Sequence, residues 1–198
     1  TKFIILLTVI VGLALVAAFI EPKLKAEPTG EVEPRGEIGP ATKIAEINRS
    51  VAVHPSHVTP HELNQILAQK PNSSSCEPAG RKIVSAVLPH HLVAAPLLLE
   101  ACTILAEQKP RRLVVIGPNH QNKAAKIITG TYGWQTPDGI LVTDEVAVEH
   151  LRRKGLAVIN EEVLAAEHSL GALAPLLKHF LPEAKIIPLI LQHGVSLQ

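Results

Sequence analysis

Apolar residues fall along this chain in two contrasting patterns. From Phe3 to Ile20 they run without a charge, between Lys2 and Glu21-Pro22-Lys23. A run of that kind meets the roughly 17–25 residues a helix needs to cross a bilayer, so residues 1–20 are expected to form a single-pass membrane anchor. The competing reading is export after cleavage at Ala18. It is disfavoured because the apolar part of a cleaved signal is usually only about 7–15 residues and ends in small residues, whereas Phe19 and Ile20 follow here. After this run the pattern lapses. Residues 21–45, beginning EPKLKAEPTGEVEPRGEIGP, are too poor in apolar side chains to bury anything and read as a linker.

Residues 46–198 show the second pattern, short apolar runs that alternate between strand and helix periods. Thr59-Pro60-His61-Glu62 has the cap, the first-turn proline and the carboxylate of a helix start, with Leu63, Ile66 and Leu67 as its apolar stripe. Residues 71–75 (PNSSS) read as a loop. Lys82–Leu88 predicts a buried strand, Leu92–Gln108 a helix and Arg112–Ile116 a second strand, which together make a βαβ unit with parallel strands. Lys126–Thr131 is a further strand. Thr136-Pro137-Asp138-Gly139 is a tight turn before Ile140-Leu141-Val142. Asp144 caps a helix that stops at Gly155, and Leu156–Ile159 returns as a strand. Leu170, Leu173, Leu177 and Leu181 put an apolar stripe on a helix over Ser169–Phe180, and Lys185–Leu191 closes the series as a buried strand. The alternation predicts an α/β fold of helices on a sheet.

Composition narrows the function classes. The chain is 46% hydrophobic with a formal net charge of +1, which excludes a strongly basic nucleic-acid binder and a disordered acidic chain. Cys76 and Cys102 form neither a disulfide framework nor a thiolate metal motif, and Cys102, inside an apolar run, reads as a small buried hydrophobe.

Histidines carry the candidate chemistry. In parallel α/β sheets ligands bind where loops leave the carboxyl ends of strands. His90 and His91 follow the first strand of the βαβ unit and His120 follows the second, so if those strands are neighbours the loops open at one sheet edge. Glu167-His168 precedes the Ser169 helix and can return to that edge. Two imidazoles with a carboxylate suit Fe(II), while Zn and Cu also accept imidazole. Of the two adjacent histidines, His91 is read as structural. Asn119 is read as shaping its turn, and His193, after the last strand, stands in reserve. His54, His57 and His61 lie in Pro-rich sequence and are read as a solvated loop.

VLPHH, VVIGPNHQ, WQTPDGILVTD and EHSLGALAPLLKHFLPEAKIIPLIL, in that order and spacing, resemble the Memo family, known in prokaryotes as AmmeMemoRadiSam system protein B. The resemblance runs from about Arg81 to Leu191. It implies the fold of the class III extradiol ring-cleaving dioxygenases, a mixed, largely parallel sheet flanked by helices. It also implies that His90 and His120 are ligands of a divalent transition metal (Fe(II), Cu or Zn), with His168 as an acid or base and Glu167 as its acidic neighbour. Pro-His-His-Leu stands where the family has Pro-His-Ala-Gly, and the family's Phe-Tyr-Pro segment is not recognisable. The family's third ligand lies in a later segment, beyond Gln198, so the α/β domain is expected to be incomplete at its C-terminus.

The expected function is therefore that of a metal-dependent redox or dioxygenase-like enzyme acting on an unnamed small molecule. The alternative from another class is a module that binds a peptide or protein in the same pocket without turnover, and a third is a structural domain displayed at the membrane.

Overall fold

The computed structural model describes residues 3–8, 52–69 and 83–195. The expected linker over 21–45, the loop over 71–75, Cys76 and residues 9–20 of the first apolar run lie outside them. In chain order the elements are β1 (Phe3–Thr8), β2 (Val53–His54), α1 (Pro60–Leu67), β3 (Ser85–Leu88), α2 (Ala95–Gln108) and β4 (Arg112–Pro118). They continue with β5 (Ile127–Thr129), β6 (Gly133–Thr136), β7 (Gly139–Leu141), α3 (Glu145–Arg153), β8 (Val158–Ile159), α4 (Glu161–Ala166), α5 (His168–Gly171), α6 (Ala174–Phe180) and β9 (Lys185–Leu191).

The main sheet has the order β3-β1-β4-β9-β5-β8. Its first four strands are parallel, and β5 turns the direction by pairing antiparallel to β9. The fold is thus mixed α/β, but its N-terminus corrects the expected membrane anchor. Residues Phe3–Thr8 pair on one side with β3 (Leu6 opposite Ala86) and on the other with β4 (Leu6 opposite Val115). Among the described residues no helix is long and apolar enough to cross a membrane. The longest, α2, has 14 residues and spans roughly 21 Å against a hydrocarbon core of about 30 Å. Strands inside parallel sheets carry near-continuous apolar runs, the same signal as the first turns of a span. A single-pass helical location at a membrane thus loses the observation on which it rested. The strand also separates β3 from β4, which were expected to be neighbours.

Local chemistry explains the remaining elements. Thr59 and Glu62 form the expected capping box on α1: the Thr59 side chain accepts from Glu62 N–H, and the Glu62 carboxylate accepts from Thr59 N–H at 2.8 Å. In α2, Ala95, Leu98, Leu99, Cys102 and Leu105 lie on one buried face with helical spacing. Burial pushes the Cys102 thiol up to about 12, so it packs as a hydrophobe. The helix expected over Ser169–Phe180 is two pieces, α5 and α6, with Pro175 in the first turn of the second. A proline at that point lacks the N–H that a continuous helix would use. Leu170, Leu173, Leu177 and Leu181 are nonetheless all buried.

A smaller sheet, β2-β6-β7, lies beside this core. Its hairpin turns at Thr136-Pro137-Asp138-Gly139, where Gly139 takes φ +103° and the Thr136 hydroxyl donates to the Gly139 carbonyl at 2.6 Å. Strand β2, parallel to β6, holds His54 at 2% exposure, which corrects the expectation of a solvated loop there.

Candidate metal centre

Because β3 and β4 run parallel, their C-terminal ends meet the same edge of the sheet even with β1 between them. His90 stands two residues beyond β3 and His120 two residues beyond β4. Two strand spacings put those backbones about 10 Å apart; the side chains reach across, and the ring centroids are 5.0 Å apart. His168 opens α5 and stacks on His120 at 4.3 Å. One potential ligand atom each from His90, His120 and His168 lies within 4.8 Å of the others. His90 is 1% exposed, whereas the side chains of His120 and His168 are 24% and 46% exposed. The site is therefore buried on the His90 side and open on the His168 side.

The loop that carries His120 is held from below. Asn119 is buried, its N–H donates to the Leu191 carbonyl at 2.7 Å, and its side-chain amide donates to the Lys123 carbonyl at 2.7 Å. Asn119 does shape its turn. His120 itself is gripped by Glu167, whose Oε2 accepts the His120 backbone N–H at 2.9 Å and whose Oε1 lies 2.7 Å from ring Nδ1. The same Oε1 accepts the Ser169 N–H at 3.0 Å and stands 3.5 Å from His168 Nδ1. A carboxylate on Nδ1 fixes the proton there and leaves the Nε2 lone pair for a ligand, as beside metal-binding imidazoles generally.

Electrostatics favour the neutral form of His90 and His168. Burial, with the neighbouring His91, His120 and His168, pushes His90 down to about 4, against the opposing pull of Glu167. His168 is lowered as well, first by burial and then by His120, with Glu167 opposing and His91 and His57 adding to the depression. Burial alone would raise the Glu167 carboxyl, but bonds from Ser169 N–H, His120 N–H and the His120 ring bring it below the ordinary carboxylate value. A lone pair on neutral imidazole is what a transition metal takes. His90 supplies the fit test: both ring nitrogens are buried without a hydrogen-bond partner. An orphaned buried polar group costs about 1–3 kcal/mol, and a metal ion would satisfy the one nitrogen it binds. The three imidazoles could together hold a metal ion.

The other histidines separate clearly. His91 is exposed and lies 4.4 Å from the His90 ring and 5.7 Å from the His168 ring, at the mouth of the site. His57 flanks the segment that carries Glu167 and His168: its Nε2 is 3.3 Å from the Ala165 carbonyl, and its ring lies on Gly171. Sequence reasoning missed it, although the capping box directly after it marked a folded segment. His54 is in a different place, with Nε2 3.1 Å from Glu161 Oε2 and its ring against Trp134 and Tyr132. His61 is exposed on α1 beside Gln65. His193 is exposed, with its N–H donated to Asn122 Oδ1, and stands outside the three-histidine group.

Residues 50–196 match the family model described as Memo, a Memo-like protein. The matched span begins before Arg81 and takes in β2 and α1. Among relatives, a MEMO1 family protein of Caldivirga maquilingensis is 28% identical over 116 residues, 55% of this chain and 40% of the relative. One from Methanocaldococcus jannaschii is 28% identical over 153 residues, 69% and 53% of the two chains. One from Methanopyrus kandleri is 30% identical over 129 residues, 63% and 44%. The chain spans about half the length of these relatives or less. With the family model covering most of its residues, this chain belongs to the Memo family.

Proposed function

We propose that the protein holds one divalent transition metal ion at the sheet edge and acts as a metal-dependent oxidoreductase, dioxygenase-like in its chemistry, on a small molecule entering from the His168 side. The observation that carries this reading is the buried, neutral and unpartnered imidazole of His90 within ligand distance of two others.

In this reading His90 and His120 bind the ion, His90 from the buried side and His120 through Nε2. When bound, such an ion supplies a Lewis-acidic open position and, for iron or copper, a redox couple. Glu167 keeps the His120 ring from turning. His168 is the movable base: its Nδ1 faces Glu167, and Nε2 is the nitrogen that takes a proton from a substrate hydroxyl. The exposed ring of His91 borders the path by which substrate enters.

A second reading makes His168 the third ligand, and the 4.8 Å grouping of the three rings favours it. The experiment for the shared core is equilibrium titration of the full chain with Zn(II) and Co(II), together with metal content after purification. The proposal expects one ion per chain in wild type. Absence of saturable binding to the wild-type protein contradicts it.

A further inference from the structure

We infer that His57 is a positioning residue that clamps the segment carrying Glu167 and His168 onto the metal centre. The inference rests on the metal-centre reading above and adds a residue from a different part of the chain. His57 lies between β2 and α1, far in sequence from the site. Its imidazole touches the Glu167–His168 segment on both flanks. On one flank its Nε2 is 3.3 Å from the Ala165 carbonyl, two residues before Glu167. On the other the ring covers Gly171, three residues after His168. The fit at Gly171 is close enough that a Cβ there would stand 2.4 Å from His57 Cδ2, 2.6 Å from Nε2 and 2.7 Å from Cγ. Such distances are impossible for a real side chain, so glycine at 171 is what admits the ring.

Between those two flanks lie Glu167, which holds His120, and His168, which stacks on it. The segment is otherwise short of regular support, because α4 has ended at Ala166 and α5 has only four residues. A half-buried ring that bridges the carbonyl before the turn and the backbone after it fixes the angle at which Glu167 and His168 reach the site. Groups that orient metal ligands are typically worth about 10–100-fold in affinity.

The test uses the full chain and Co(II), whose visible absorption reports ligand geometry. His57→Ala and Gly171→Ala should each weaken Co(II) binding by about 10–100-fold and change the shape of the absorption band. His57→Gln, which can still donate to Ala165, should restore part of the loss. Gly171→Ala should cost little more in the His57→Ala background, because the ring it displaces is already gone. His61→Ala, on the exposed face of α1, is the control expected to behave as wild type. Wild-type affinity and an unchanged band in both His57→Ala and Gly171→Ala overturn the clamp while leaving the metal centre standing. No Co(II) binding in wild type overturns both. Equal and additive losses in the double variant, without rescue by glutamine, also overturn the clamp, since the two positions would then act separately.

Discussion

Glu167 grips His120 at two points, with Oε2 on the backbone N–H at 2.9 Å and Oε1 on ring Nδ1 at 2.7 Å. One buried carboxylate thereby fixes both where the residue sits and which nitrogen faces the site. Glu167→Gln keeps the shape and removes the charge, so metal affinity should fall by about 10–100-fold with little change in fold. Glu167→Ala additionally strands the N–H groups of His120 and Ser169, and should lower unfolding free energy by about 1–3 kcal/mol. Parallel metal titration and urea unfolding check both.

The placement of Phe3–Thr8 inside the main sheet predicts slow amide exchange. Leu6 and Leu7 are paired with Ala86 and Val87 on one side and with Val115 and Ile116 on the other, so their amides should exchange about as slowly as those of β4. Hydrogen exchange read by mass spectrometry on peptides covering residues 3–8 measures this. Exchange at unprotected rates would remove β1 from the sheet.

A pH dependence attaches to Glu161, which pairs with His54 and Thr131. Burial by itself would raise its carboxyl, but the His54 imidazole and the N–H and hydroxyl of Thr131 bring it below the ordinary carboxylate value. A carboxyl lower in the folded state than in the unfolded chain contributes stability that is fully present above the unfolded value. That stability is lost as pH falls through the folded value. The advantage of wild type over Glu161→Gln should therefore be full above the ordinary carboxylate range and shrink as pH falls through and below it. Denaturant titrations across that range decide it, and a difference independent of pH would refute the assignment.

Much of the fold was legible because its elements obey local rules. The capping box at Thr59, the Asp144 cap and the turn ending in Gly139 are each written within four residues. That His90 and His120 share one edge was legible because strand ends in parallel sheets gather there. What could not be read is what depends on contacts distant in sequence. The apolar start of the chain looks the same as a strand in a sheet or as a membrane helix, and only its partners β3 and β4 decide. Nothing near His57 announces Ala165 or Gly171, and nothing near His54 announces Glu161. The break between α5 and α6 was marked by Pro175 but hidden by a leucine stripe that continues through it.

Cys102 gives a simple check on the core. Its thiol is 1% exposed, and burial holds it at about 12. In a Cys76→Ser background the native protein should leave Cys102 unlabelled by a thiol reagent at neutral pH, with labelling only on unfolding. Prompt labelling of the folded protein would show that the face of α2 is open.

Metal titration of His90→Ala, His120→Ala and His168→Ala in parallel with wild type tests the central claim most directly. Holding the ion on His90 and His120, with His168 as the base, predicts that the first two variants lose binding. The third should retain it, weakened by about 10–100-fold, while losing turnover. Loss in His168→Ala as complete as in the other two would make His168 a ligand, and wild-type metal content in both His90→Ala and His120→Ala would contradict the account.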